Sequence, residues 1–317
     1  MSIARTTSKA TLKGRSLVSI QDFTRQEIEL VLATARHLGD QRSRLLEGSQ
    51  VALLFYEAST RTRNSFLTAV HHLGGAECGF SSGEGTSVQK GESLADTIRM
   101  FASYCEAIVL RHPRDGSARW AADVSQVPVI NAGDGKNQHP TQTLLDLYAI
   151  ENTQGRLENL HIGMMGDLKY GRTVHSLADA LTLYPGNHLH LISPASLAMP
   201  PEYLDAWREA GLTIHLHDRL EEVASRVDIL YCTRIQRERM PDDSEYEKVR
   251  GVYRLTAAHL RDARESMRVL HPLPRVDEIH TDVDETPHAY YFEQAAGGVP
   301  VRKALLSLLL GLEETSR

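Results

Sequence analysis

The chain has 317 residues, 41% of them hydrophobic and 24% charged, with a formal net charge of −6. That length accommodates two domains of ordinary size, each with its own core. The acidic balance argues against an extended nucleic-acid surface, and no apolar run approaches the ~20 residues of a membrane-spanning helix. Cys78, Cys105 and Cys232 are widely spaced and odd in number. They match neither a disulfide framework nor a zinc spacing, and fit core thiols in a reducing cytoplasm.

The N-terminal stretch is basic and hydroxyl-rich, with no acidic side chain before Asp22 and no apolar signal core. It reads as a loosely packed extension, residues 1–15, and not as a secretory leader. Thr24-Arg25-Gln26-Glu27 is a capping-box signature that opens a helix through Ile28, Val31, Ala35 and Leu38. The run Val51 to Tyr56 reads as a buried strand, and Phe66, Leu67, Val70 and Leu73 then recur at helical spacing. Between them lies Glu57-Ala58-Ser59-Thr60-Arg61-Thr62-Arg63. First-turn amides of a helix lack intrahelical partners, so hydroxyls and guanidinium groups at this junction suit a dianionic phosphate.

A second strand near Ala76 to Ser81 leads into a glycine- and hydroxyl-rich stretch, Ser82 to Glu92, expected as an exposed mobile loop. A helix marked by Leu94, Ile98, Phe101 and Cys105 follows, then strands at Ala107–Leu110 and Val127–Asn131. Strands alternating with helices point to a parallel sheet covered on both faces, with ligands at the carboxyl ends of the strands. Those ends carry Ser59 to Thr62, Arg111-His112-Pro113 and Asn131-Ala132-Gly133-Asp134-Gly135. Pro140 suits a helix's first turn, which sets His139 beside that terminus with Gln142 three residues on. The pair is placed to polarise a carbonyl and hold an amide.

A domain boundary is expected near residues 150–159, giving a first domain over 16–150 and a second over 151–299. The second repeats the pattern, with strands at Leu160–Met165, His188–Ile192, Thr213–His217, Val227–Cys232 and Met267–Leu270. The fold class is therefore α/β, two doubly wound parallel-sheet domains linked by helices. An amphipathic closing helix over 300–317 is expected to pack back on the first domain.

Several motifs in this half compete for a function. Gly166 to Thr173 is one substitution from a phosphate-binding P-loop, with Arg172 where that motif needs Lys. A planar guanidinium is not its equivalent and better suits a carboxylate. His188/His190 and His215/His217 share strand faces and read as half-exposed strand histidines; no metal ligand set is complete. Asp282, Asp284 and Glu285 read as a solvated acidic run. Thr233-Arg234-Ile235-Gln236 and His271-Pro272-Leu273-Pro274-Arg275 follow strands and offer further cations, an amide and unpaired carbonyls.

Ser59-Thr60-Arg61-Thr62-Arg63, His139-Pro140-Thr141-Gln142 and His271-Pro272-Leu273-Pro274-Arg275, in this order, resemble the transcarbamylase family and within it the aspartate-specific branch. Lys90-Gly91-Glu92, Gly166 to Thr173 and Asp277 to His288 extend the resemblance, which runs from about Arg15 to the C-terminus. It implies carbamoyl transfer from carbamoyl phosphate to the amine of L-aspartate, an early step of pyrimidine synthesis, in the cytoplasm and without metal or cofactor. By motif, Ser59, Thr60, Arg61 and Thr62 hold the phosphate. Arg111, His139 and Thr62 take the carbonyl oxygen, while Gln142 and the Leu273 carbonyl, before a cis Pro274, take the NH2 group. Arg172, Arg234 and Gln236 take the aspartate carboxylates. Ser87 and Lys90 reach in from a neighbouring subunit of a homotrimer, and Glu57 pairs with Arg172 and Arg239 on domain closure. The loop before Lys90 is one residue shorter than in enteric relatives, which bears on Ser87. Regulatory or dihydroorotase-like partner chains stay open. Ornithine-specific relatives carry Cys at the place of Pro272 and a Ser-Met-Gly loop, both absent here. Alternatives are another amino-acid acceptor or a non-catalytic assembly subunit of the same fold; the latter predicts lost site residues, and none is lost.

Overall fold

A computed structural model of the chain describes residues 11–235 and 254–312. The chain divides into two compact units. One holds the chain through Val18, Asp22–Asn131 and everything from Val299; the other holds Ser19–Gln21 and Ala132–Gly298. This division runs through a strand, ahead of the 150–159 stretch where the helix-breaking Gly155 suggests a boundary.

In the first unit, β1 (Gln50–Phe55), β2 (Ala76–Phe80), β3 (Ala107–His112) and β4 (Val129–Asp134, which runs on into the second unit) form a sheet in the order β2-β1-β3-β4. β1 is parallel to both neighbours, with Leu54 opposite Phe80 and Phe55 opposite Arg111. Its residues Val51 to Phe55 are all buried, as a two-sided strand requires. Helices α1 (Arg25–Leu38), α2 (Thr60–His72), α3 (Leu94–Ala102) and α4 (Ser117–Val124) belong to the same unit. The Thr24/Glu27 capping box at α1 forms as expected.

Two expectations for this unit are corrected. The tail of the N-terminal extension is packed, with Leu12 buried and Gly14 N–H donating to Leu309 O at 2.8 Å; residues 1–10 lie outside the described residues. The closing helix, Gly298–Leu310, is not one-sided, since Val301 through Ser307 are all buried. The buried charge of Lys303 has hydrogen-bond partners. Lys303 Nζ donates to Leu38 O at 3.1 Å, to Gly39 O at 2.9 Å and to Gln41 O, the exit of α1, where the helix dipole favours a cation. Arg302 lies over the Phe66 ring, 5.0 Å from its centroid.

In the second unit, β5 (His161–Met165), β6 (His188–Ile192), β7 (Thr213–His217), β8 (Ile229–Cys232) and β9 (Arg268–Leu270) form an all-parallel sheet ordered β7-β6-β5-β8-β9. Helices α5 (Pro140–Gln154), α6 (Arg172–Leu181), α7 (Pro201–Glu209) and α8 (Tyr291–Ala296) belong to this unit. Gly155 ends α5 in the left-handed region.

The strand histidines form a ladder across this sheet, and the two-residue spacing alone does not reveal it. His161 Nδ1 meets His190 Nε2 at 3.0 Å, His190 Nδ1 meets His217 Nε2 at 3.1 Å, and His217 Nδ1 meets Glu222 Oε2 at 3.1 Å. His188 Nδ1 meets His215 Nε2 at 3.2 Å, and the His161/His188 and His190/His215 rings stack at 4.5 and 4.7 Å. His190 is buried, not half-exposed. Each nitrogen pair needs one donor and one acceptor. With Glu222 accepting from His217 Nδ1–H and each Nε2 accepting from the next ring, the row reads Nδ1–H throughout. Among the described residues, no group of three or more His, Cys, Asp or Glu side chains could hold a metal ion. The acidic run is not simply solvated either, because Asp284 forms a two-point pair with Arg275 at 2.5 Å.

Burial, and then the neighbouring histidines, lower His190 to about 3; burial also lowers His161 and His215. The unfolded chain binds protons near pH 6.5 that these folded rings refuse, so stability falls as pH drops from about 6.5 toward 3. His190→Leu is expected to flatten that slope, sparing about 1–2 kcal/mol of the loss between pH 7 and 5; denaturant titrations at the two pH values read it. Lys303→Met is expected to cost about 3 kcal/mol at neutral pH by stranding the carbonyls at the end of α1, measured the same way.

Candidate active site

At the carboxyl edge of the first sheet, the register sets two strand ends side by side. Phe55 lies opposite Arg111, and Tyr56 N–H donates to Arg111 O at 2.9 Å. The Glu57–Thr62 turn therefore leaves β1 next to the end of β3. Ser59 is the N-cap of α2 in extended conformation, yet its hydroxyl makes no capping hydrogen bond. The first-turn amides of α2 are thus uncapped by this side chain, with Thr60 and Arg61 exposed and Thr62 buried. Burial lowers the Arg61 guanidinium from its ordinary value. It lowers Arg111 as well, offset in part by Glu57, whose Oε2 lies 3.1 Å from Arg111 Nη2. Uncapped amides, hydroxyls and partly dehydrated guanidinium groups form a site where a dianion gains more than it would in water. From β2, on the other side of β1, the chain enters the loop that closes in a short 3-10 turn, Ser87–Lys90, with both end residues exposed.

In the second unit, His139 is the buried N-cap residue of α5, followed by Pro140 in the first turn. Its Nδ1 lies 3.4 Å from Thr141 Oγ1. The turn before it is tied by Asp134, whose Oδ1 accepts from Gln138 N–H and whose Oδ2 accepts from Asn137 Nδ2, both at 3.1 Å. Arg172 begins α6, is buried, and donates through Nη1 to Gly135 O. Ser176, one turn on, donates to Gln138 Oε1 at 3.0 Å. These bonds bring Arg172 beside the segment that carries His139.

The P-loop alternative fails on hydrogen bonding. A phosphate cradle needs inward-facing amides. Here Gly166 N–H donates to Ile192 O, Asp167 N–H to Thr233 Oγ1, Leu168 N–H to Leu197 O, Tyr170 N–H to Asp167 Oδ1 and Arg172 N–H to Tyr170 O. Gly166, at φ 117°, is required because a Cβ there would sit 2.2 Å from Thr233 O. The glycine serves the approach of β5 to β8.

At the carboxyl ends of β8 and β9, Tyr231 lies opposite Leu270. Half-buried Arg234 leaves one strand, and His271 to Arg275 leave the other. The Leu273–Pro274 bond is cis, and Leu273 has φ 54°. Its N–H donates to His271 Nδ1 at 2.8 Å, while His271 Nε2 meets Glu278 Oε1 at 2.6 Å. Gln236 and Arg239 lie outside the described residues. Sequence reasoning missed Glu278, the Glu57–Arg111 pair and Asp146, whose Oδ1 accepts from Gln142 Nε2 at 2.8 Å. The Gln142/Asp146 spacing of one helical turn was the available signal for the last.

Comparison with known proteins gives the same reading for both halves. The profile of the aspartate/ornithine carbamoyltransferase carbamoyl-P binding domain matches residues 15–152, and that of the Asp/Orn binding domain matches residues 158–309. The chain is 54% identical to the aspartate carbamoyltransferase catalytic subunit of Thermococcus onnurineus, over 95% of this chain and 99% of that one. Among solved structures, the catalytic subunit of M. jannaschii aspartate transcarbamoylase superposes with a TM-score of 0.88 at 46% identity, covering 94% of this chain and 98% of that one. The Trypanosoma cruzi aspartate transcarbamoylase in complex with carbamoyl phosphate and aspartate gives 0.88 at 39% identity, with 94% and 98% coverage. A hydroxyl- and guanidinium-lined helix start on one sheet, carboxylate-suited arginines on the other, and profiles spanning both place this chain in the aspartate/ornithine carbamoyltransferase family.

Proposed function

We propose that the chain transfers the carbamoyl group of carbamoyl phosphate to the amine of L-aspartate, giving N-carbamoyl-L-aspartate and phosphate for pyrimidine synthesis. The observation that carries this reading is the uncapped start of α2 beside Arg111, on adjacent strand ends. Relatives of 54% identity named as catalytic subunits, and a neighbour solved with both substrates, support it.

Ser59, Thr60, Arg61 and Thr62 hold the phosphate. Arg111, His139 and Thr62 donate to the carbonyl oxygen, where negative charge grows as the amine attacks. Gln142 and the Leu273 carbonyl accept from the NH2 group, ahead of Pro274, which shapes that turn. Arg172, Arg234 and Gln236 bind the two carboxylates of aspartate, the acceptor that their cations favour over ornithine. The C–N bond forms as the C–O bond to phosphate breaks, and the departing phosphate takes the amine proton. Orientation and charge stabilisation supply the catalysis, with no protein nucleophile. Ser87 and Lys90 complete the site of a neighbouring subunit in a homotrimer; their exposure on a loop at the sheet edge is the supporting feature. Three free thiols, two of them buried, suit a cytoplasmic setting.

The purified chain is expected to form carbamoyl-aspartate and phosphate one for one, and to form no product from ornithine. Absence of carbamoyl-aspartate at saturating substrates would reject the proposal. Arg61→Ala is expected to lower kcat/KM for carbamoyl phosphate by about three orders of magnitude, roughly 4 kcal/mol, with the fold intact. If sites are shared, mixing and reassembling inactive Arg61→Ala and Lys90→Ala chains restores activity; unshared sites leave the mixture inactive.

A further inference from the structure

Carbamoyl phosphate differs from other acyl phosphates in its NH2 group, and Gln142 is the side chain assigned to that group above. A glutamine amide can present either its oxygen or its nitrogen, and the partner on its far side decides which. Gln142 Nε2 donates to Asp146 Oδ1 at 2.8 Å, one turn along α5. The same oxygen accepts from Gln294 Nε2 of α8 at 2.6 Å, and Oδ2 accepts from the Tyr231 hydroxyl of β8 at 2.8 Å. Asp146 is fully buried, so donors from three elements hold it in one orientation. An ionised carboxylate only accepts hydrogen bonds, so the Gln142 face turned to it must be the NH2 end. The amide oxygen is then the end left for a further partner. An oxygen accepts from a carbamoyl NH2, whereas a flipped amide would meet it donor to donor.

We infer that Asp146 is a positioning residue that fixes the amide orientation of Gln142 and thereby makes the chain prefer a carbamoyl phosphate over other acyl phosphates. The inference rests on the carbamoyl-transfer reading. Burial raises the Asp146 carboxyl to about 7, against the three hydrogen bonds that favour its charge. A proton on Oδ2, with the Tyr231 hydroxyl turned from donor to acceptor, leaves Oδ1 accepting from both amides and the orientation unchanged. The same argument identifies Asp146→Asn as the conservative rescue, with its oxygen toward the two glutamines and its NH2 toward Tyr231.

The test compares kcat/KM for carbamoyl phosphate and for acetyl phosphate, which carries a methyl in place of NH2, with L-aspartate as acceptor. Asp146→Ala is expected to lower the carbamoyl value about tenfold or more and leave the acetyl value within about twofold. Asp146→Asn is expected to keep the ratio within about threefold of wild type. Asp146→Leu combined with Tyr231→Phe removes the acceptor together with one donor it would strand, and gives the same loss of ratio if the alanine variant does not fold. Equal losses with both donors, or an asparagine variant as impaired as the leucine pair, would overturn the inference while leaving the proposed reaction standing. A wild-type chain inactive with either donor would overturn the reaction itself.

Discussion

The interaction on which the first unit's chemistry depends is a missing one. Ser59 stands at the N-cap of α2 in the extended backbone that a capping serine adopts, and its hydroxyl does not cap. Capping would contribute about 1 kcal/mol to the helix. Leaving it unmade keeps first-turn amides and a hydroxyl available at the positive end of the helix dipole. The parallel register of β1 and β3 then brings Arg111 to the same edge, since Phe55 and Arg111 are opposite one another. Glu57 holds that guanidinium in place while burial strips it of water. On the proposed reading, a dianionic phosphate takes the donors that this helix terminus leaves uncapped.

The second unit uses the opposite device, hydrogen bonds that hold particular side chains from behind. Asp134 ties the turn ahead of His139, and Asp146 gathers donors from β8 and α8 behind Gln142. Five amides of the loop after β5 are engaged inside the protein, so that loop offers no phosphate cradle. On the proposed reading, groups that orient a small amide or carboxylate are supported from behind, because a loosely held amide can turn over at little cost.

The sequence reveals most of the architecture because its punctuation is strong. Val51 to Tyr56, His188 to Ile192 and Thr213 to His217 are apolar or β-favouring runs closed by turn chemistry, and they fall on strands. Pro140 and Gly155 bracket α5 at both ends. The heptapeptide after β1 is legible for the same reason, as its phosphate-suited side chains are contiguous. What the sequence hides are contacts whose partners lie far along the chain or in the backbone. Gln294 is 148 residues from Asp146. Lys303 is buried against carbonyl oxygens, which every residue carries and no pattern marks, so its helix reads as one-sided. The histidine ladder needs the cross-strand register of β5, β6 and β7 in addition to the spacing within each strand.

The most direct measurement of the central claim is calorimetric titration of inorganic phosphate into the wild-type chain and into Arg61→Ala and Ser59→Ala variants. The uncapped terminus of α2 predicts saturable binding of one phosphate per chain, weakened strongly by the arginine substitution and measurably by the serine one. Saturable binding that neither substitution alters, or no binding by the wild-type chain, would contradict it.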